Sequence, residues 1–227
     1  VATKSDEHNF VDKVASNNIW ITPQDELDPV RRYAPIGLDP CTEAHNPVGA
    51  TSFFTEADDG LTRSWSGHGL TFVNPPYSTL PPIPDDATDA EALQIRRAYM
   101  AGLKAKAAEI GLDPSQVSSL IVLWAWKIHA EASHGVPLIA LLPCGARFST
   151  EYWQEHILIP ELRAVCFVRG RIKFINGATG RPGRGNNYDS MFYGFNVDPQ
   201  RFGAVFNPRG AVFAMSRHRA GMLDGFI

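Results

Sequence analysis

Leu70-Thr71-Phe72-Val73-Asn74-Pro75-Pro76-Tyr77 is an apolar, strand-like run cut off by two prolines, and the fold and the chemistry are read outward from it. Proline has no N–H to give a ladder, so the strand ends at Val73 and a stiff turn follows. Open α/β sheets bind their ligands at the carboxyl ends of strands. A turn of this composition there suits a planar NH2 group. The Asn74 side-chain oxygen and the Pro75 carbonyl can both accept hydrogen bonds from it. Pro76 holds the two acceptors rigid, and Tyr77 offers a face on which a heterocycle can stack. An exocyclic amine on a nucleobase meets these demands, and such a base must leave its helix to be reached.

Around this turn the chain reads as alternating strands and helices. Helices are expected over Pro23–Tyr33, with Thr22 as N-cap and Pro23 at the first position, and over Asp89–Ile110, stopped by Gly111. Asp113-Pro114-Ser115 opens a third, running to about Ser133, and Thr150–Leu158 a fourth. Strands are expected at Ile36–Asp39, Leu70–Val73, Val136–Leu142, Ala164–Val168 and Ile172–Ile175. Ala204–Asn207 and Ala211–Met215 resemble a closing hairpin. The alternation predicts an α/β sheet, mostly parallel, with a late antiparallel hairpin. Leu80–Thr88 and Asn176–Asn187 read as loops, the second rich in glycine and carrying Arg181 and Arg184.

The chain has 227 residues, 44% hydrophobic and 20% charged, which excludes a disordered or fibrous chain. No apolar run approaches the roughly 18 residues of a membrane span. Val1–Phe10 carries Lys4, Asp6, Glu7 and His8, unlike a signal peptide. Cys41, Cys144 and Cys166 form no Cys-x-x-Cys pair, so neither a disulfide scaffold nor a zinc ribbon is expected, and a cytoplasmic protein is. Net charge is -3, unevenly spread: residues 160–227 hold ten Lys or Arg against four Asp or Glu, leaving -9 on the first 159. A basic third on an acidic body points to a polyanion partner.

Other motifs lead nowhere. His129-Ala130-Glu131 with Pro143-Cys144 is similar to a zinc deaminase signature, but the second cysteine falls at position 147, which is Arg147. No metal site is therefore expected, and His129 reads as structural. The glycine-rich Gly177–Gly185 lacks the Gly-Lys-Ser/Thr of a phosphate loop. Trp124 and Trp126 read as core anchors, and Cys41, with no partnered base, as packing.

Taken in order, Trp20-Ile21-Thr22-Pro23, Leu38-Asp39-Pro40-Cys41, Asp59-Gly60-Leu61 with Trp65, Phe72 to Ser78, Leu141-Leu142-Pro143 and Gly170 to Phe174 resemble the phage-type DNA N-6-adenine methyltransferases, the Dam-like family of bacteriophages and prophages. The resemblance implies a Rossmann-like methyltransferase fold, S-adenosylmethionine as methyl donor and DNA as partner. It implies that Asn74, Pro75, Pro76 and Tyr77 hold the target adenine. Trp20, Thr22, Pro23, Asp39, Pro40, Asp59 and Asn74 would then border the donor, and Arg171, Lys173, Arg181 and Arg184 the DNA. The sequence departs from the pattern in lacking a Gly-x-Gly after Asp39, and residues 80–119 look like a helical insertion in a single domain. Methylation of a protein glutamine amide, and a binding module without catalysis, remain open readings.

Overall fold

The structure is a computed structural model, which describes residues 20–76, 81, 83–84, 86–144, 146–177, 179–183 and 189–215. Its elements run β1 (Trp20–Ile21), α1 (Gln24–Tyr33), β2 (Ile36–Asp39), β3 (Ser52–Phe53), β4 (Leu70–Val73), α2 (Asp89–Ile110), α3 (Leu120–Ser133), β5 (Leu138–Pro143), α4 (Glu151–His156), β6 (Leu162–Val168), β7 (Ile175–Asn176), β8 (Ser190–Phe195), α5 (Pro199–Phe206) and β9 (Gly210–Ala214). Seven strands form one sheet in the order β3-β2-β4-β5-β8-β6-β9, and β1 pairs with β7 in a separate ribbon.

β2, β3, β4 and β5 pair in parallel, and β8 lies antiparallel between β5 and β6. β6 therefore runs the same way as β5, and only β8 and β9 are reversed. β4 and β5 are buried on both faces, as parallel strands between two helix layers must be. Along β5, Ile139 and Leu141 join Phe72, Leu27, Val30, Phe202 and Phe206 under α1 and α5. Leu138, Ala140 and Leu142 join Trp65, Ile121, Leu123 and Trp153 on the side of α3 and α4.

α2 spans the predicted residues. Thr88 and Glu91 close a capping box at its start, and Gly111, in the left-handed region at φ 82°, ends it. Only Leu103 and Ala107 of this helix are buried, so its C-terminal half alone is packed on the body.

Several expectations are corrected. Thr22 does not cap α1; Pro23 occupies the cap position without a side-chain bond, its carbonyl receiving the N–H groups of Glu26 and Leu27. The helix expected from Asp113 is broken. A single 3-10 turn, Pro114–Gln116, is followed by an extended Val117 and a fresh start at Leu120. The expected strand Ile172–Ile175 forms no ladder over 171–174. Its alternation is satisfied by burying Ile172 and Phe174 in the core while Arg171 and Lys173 face solvent. The closing hairpin is not formed. Ala204–Asn207 falls in and just after α5, which Asp198 caps and Pro199 opens, and β9 pairs with β6. β8, not anticipated, is wholly buried.

The two ends of the sheet layers are tied by a charge pair. Glu26 of α1 is buried and receives both Nε, at 3.0 Å, and Nη2 of Arg209, just before β9. Burial holds the Glu26 carboxyl above its ordinary value in spite of the arginine. Arg209→Met leaves that carboxylate buried without its partner and is expected to cost about 3 kcal/mol in denaturant unfolding at pH 8. The deficit should shrink at pH 5, where Glu26 protonates more readily, and the double variant Glu26→Gln/Arg209→Met should recover most of it.

Candidate active site

The stiff turn after β4 is joined to the chain's beginning by one hydrogen bond. Asn74 Nδ2 donates to Thr22 Oγ1 at 2.9 Å, across 52 residues. Thr22 is buried, so the bond is shielded from water. It holds the Asn74 side chain with Nδ2 on Thr22 and the carbonyl oxygen turned away from it. Pro75 is buried and Pro76 exposed. Tyr77 lies outside the described residues.

Beside this turn, at the carboxyl end of β2, stands Asp39. Its Oδ1 accepts the Cys41 N–H at 3.2 Å, and the Thr42 hydroxyl adds a second bond. Among the described residues no cationic side chain pairs with it. Burial therefore dominates and pushes its pKa up to about 6. The Cys41 thiol, 3.8 Å from Asp39 Oδ1, receives the Asn74 backbone N–H, so Cys41 stands between the two site residues. Burial and the adjacent carboxylate push that thiol well up, which suits packing and not attack.

Asp59 reaches the same edge by a different route. A Cβ at Gly60 would stand 1.9 Å from the Pro40 carbonyl oxygen, so glycine alone lets the Asp59 loop lie against the Asp39 loop. Asp59 itself is held in the left-handed region at φ 55°. Its carbonyl accepts from Thr62 N and Oγ1, and the Gly60 carbonyl accepts from Trp65 Nε1 at 2.9 Å. Asp59 Oδ2 also meets Lys106 Nζ at 2.5 Å, a residue of α2 that the sequence did not single out. Nothing local announces that pair, since 47 residues separate its members.

The basic residues form a second group. β1 pairs antiparallel with β7, Trp20 opposite Asn176 and Ile21 opposite Ile175. The chain then turns back, with Asn176 N–H to the Arg181 carbonyl at 2.9 Å and Gly183 N–H to the Phe174 carbonyl at 2.8 Å. The glycine-rich stretch thus begins as a short hairpin, and Arg181 is exposed on it. Lys173 is exposed just before it, and Arg171 lies 3.7 Å from Asp189, both exposed. Arg184 lies outside the described residues. The ribbon adjoins the turn through Thr22, into which β1 directly continues.

His129 is half-buried, its Nδ1 3.1 Å from Nδ1 of His156 on α4. Trp124 is buried and stacks on Trp65, and Trp126 is half-buried against the same core. No described helix is long and apolar enough to cross a membrane.

Asp39 gives a direct test of the electrostatics. A folded-state pKa raised from 3.8 to about 6 means that stability is present below 3.8 and is lost as pH rises through about 6, by about 3 kcal/mol in all. Asp39→Asn keeps an acceptor for Cys41 N–H without the charge. It is expected to raise the melting temperature at pH 8 and to leave it nearly unchanged at pH 4, measured without ligands.

The family model described as DNA N-6-adenine-methyltransferase (Dam) matches residues 11–205, from before β1 into the last turn of α5. No curated protein and no solved structure matches. Over that span the chain belongs to the DNA N-6-adenine-methyltransferase (Dam) family.

Proposed function

We propose that the protein transfers the methyl group of S-adenosylmethionine to the N6 amine of adenine in DNA. The observation that carries this reading is the Thr22–Asn74 bond, which presents an oriented amide at the carboxyl edge of the sheet. The strand directions, five alike with β8 reversed between β5 and β6 and β9 reversed at the edge, support a Rossmann-like methyltransferase sheet. We read the chain as a single domain in which residues 80–119 are an insertion after β4.

The residues fit the donor. Asp39 is a buried carboxylate without a cation, the complement of an amino-acid ammonium group. Thr22 and Pro23 border the same edge, with Pro40 and Asp59 beside them, joined through Gly60. S-adenosylmethionine supplies, when bound, a methyl group on a sulfonium, open to in-line attack by an amine. Asn74 Oδ1 and the Pro75 carbonyl accept hydrogen bonds from the two N6–H groups and hold the amine with its lone pair directed outward. Tyr77 supports the base by stacking. No strong base is needed before attack, since the proton leaves afterwards. Orientation and the two acceptors therefore do the catalytic work. Arg171, Lys173, Arg181 and Arg184 are the phosphate or base contacts, and this basic group favours DNA over a protein amide.

Asn74→Ala removes one acceptor and is expected to lower turnover about 100-fold. Transfer of tritiated methyl to DNA free of N6-methyladenine measures this, with donor affinity followed by calorimetry. Donor affinity should change less than threefold; wild-type turnover in the variant would exclude the adenine assignment. Arg181→Ala/Arg184→Ala is expected to weaken DNA binding and to flatten its dependence on the logarithm of salt concentration by roughly two units of slope. Gel-shift titrations over a salt series check it, and an unchanged slope removes this loop from the DNA surface.

A further inference from the structure

Trp20 is the most exposed large apolar side chain of the ribbon, at 45%, whereas Trp65 and Trp153 are fully buried and Trp124 nearly so. Leaving so large an aromatic surface in water forfeits hydrophobic stabilisation that burial would give. Its placement is nonetheless fixed. It pairs with Asn176 across the ribbon, and the backbone of Gly183 lies against its ring. A Cβ at position 183 would stand 2.9 Å from the ring, so glycine is what lets the hairpin seat there. The covered part of the ring is thus held by backbone, and the remainder is open.

The direction of the open part follows from the chain. Trp20 and Thr22 are two residues apart on an extended segment, so they project to the same side. Thr22 reaches Asn74. Trp20 therefore projects toward the side of the ribbon that faces the turn, and exposed Arg181, one residue off the Ile175–Pro182 bridge, shares that side, whereas Lys173, in step with Ile175 and Ile21, lies on the other. An open aromatic face flanked by a basic side chain is a combination by which proteins hold unstacked bases.

We propose that the open face of Trp20 is a stacking platform for the adenine drawn out of DNA toward Asn74, and not a wall of the donor pocket. The proposal rests on the reading of the site as a DNA adenine methyltransferase. It makes Trp20 a substrate-contacting residue that holds the base while Asn74 and Pro75 hold its amine.

The test uses the full chain and two single-stranded probes, a dodecamer of deoxyadenosine and its abasic counterpart with the same phosphates. Wild type should bind the adenine probe about tenfold more tightly than the abasic one. Trp20→Leu, which keeps apolar bulk without a π face, should reduce that preference to about threefold or less, and Trp20→Tyr should retain most of it. Donor affinity in all three should agree within about twofold, and thermal melts confirm that each is folded. Trp20→Leu with an undiminished adenine preference overturns the platform, as does a tenfold loss of donor affinity with DNA binding unchanged. Methyl transfer by wild type to DNA of mixed sequence is measured in parallel. Transfer with an unaltered adenine preference in Trp20→Leu removes the platform alone, whereas its absence in wild type removes the methyltransferase reading together with it.

Discussion

The hydrogen bond from Asn74 to Thr22 is the constraint around which the site is organised. An asparagine amide on a turn has two nearly equivalent orientations that exchange donor for acceptor. A bond to a buried hydroxyl 52 residues away holds the side chain in place, with Nδ2 toward Thr22 and Oδ1 away from it. That hydroxyl is itself held because β1 is paired to β7, and because α1 begins immediately after Pro23. The geometry of the turn is therefore borrowed from segments far from it in sequence. The prolines stiffen the backbone but cannot decide which way the amide points.

Charge is arranged differently at the site and beneath it. In the body, buried ions are paired: Glu26 with Arg209, and Lys127 with Glu131 at 2.6 Å, the lysine also 5.5 Å above the Trp65 ring. At the carboxyl edge Asp39 is buried with hydrogen bonds alone. A carboxylate buried in this way costs the fold stability as pH rises through its raised pKa of about 6. Among the described residues, the buried ions of the core are thus paired and this one at the edge is met by hydrogen bonds alone.

What was legible in the sequence followed local physics. β4 ended where proline forbids a ladder, and β2 appears as Ile36–Asp39 as read from its short apolar run. α2 matched its expected bounds because propensity, cap and terminal glycine agree. The misreadings arose where two periods fit the same few residues. Ala204-Val205-Phe206 reads as a strand by apolar run, yet Phe202 and Phe206 are spaced to share one helix face and stack there, their centroids 4.2 Å apart. Ile172 and Phe174 alternate like a strand and are buried like one, but no neighbour supplies a ladder. At the site, the turn itself was readable, while the Asp59–Lys106 pair and the role of Thr22 depend on contacts between distant segments. The Gly60 approach to Pro40 belongs to the same class, since a glycine in sequence does not say what comes near it.

The position of β8 has a consequence for how the protein is made. β8 is among the last elements in the chain, yet it occupies the middle of the sheet, pairing on one side with β5 and on the other with β6. Until residues 190–195 emerge from the ribosome, the inner edges of β5 and β6 have no partner, and Leu138–Leu142 is an open apolar strand. Non-local pairing of this kind slows closure, because the entropy of the intervening loop is lost before the ladder forms. The nascent chain thus passes through a stage with two exposed strand edges, the condition under which intermolecular pairing competes with folding. Chaperone dependence during synthesis, and insolubility of fragments ending before β8, are the cellular signature this topology implies.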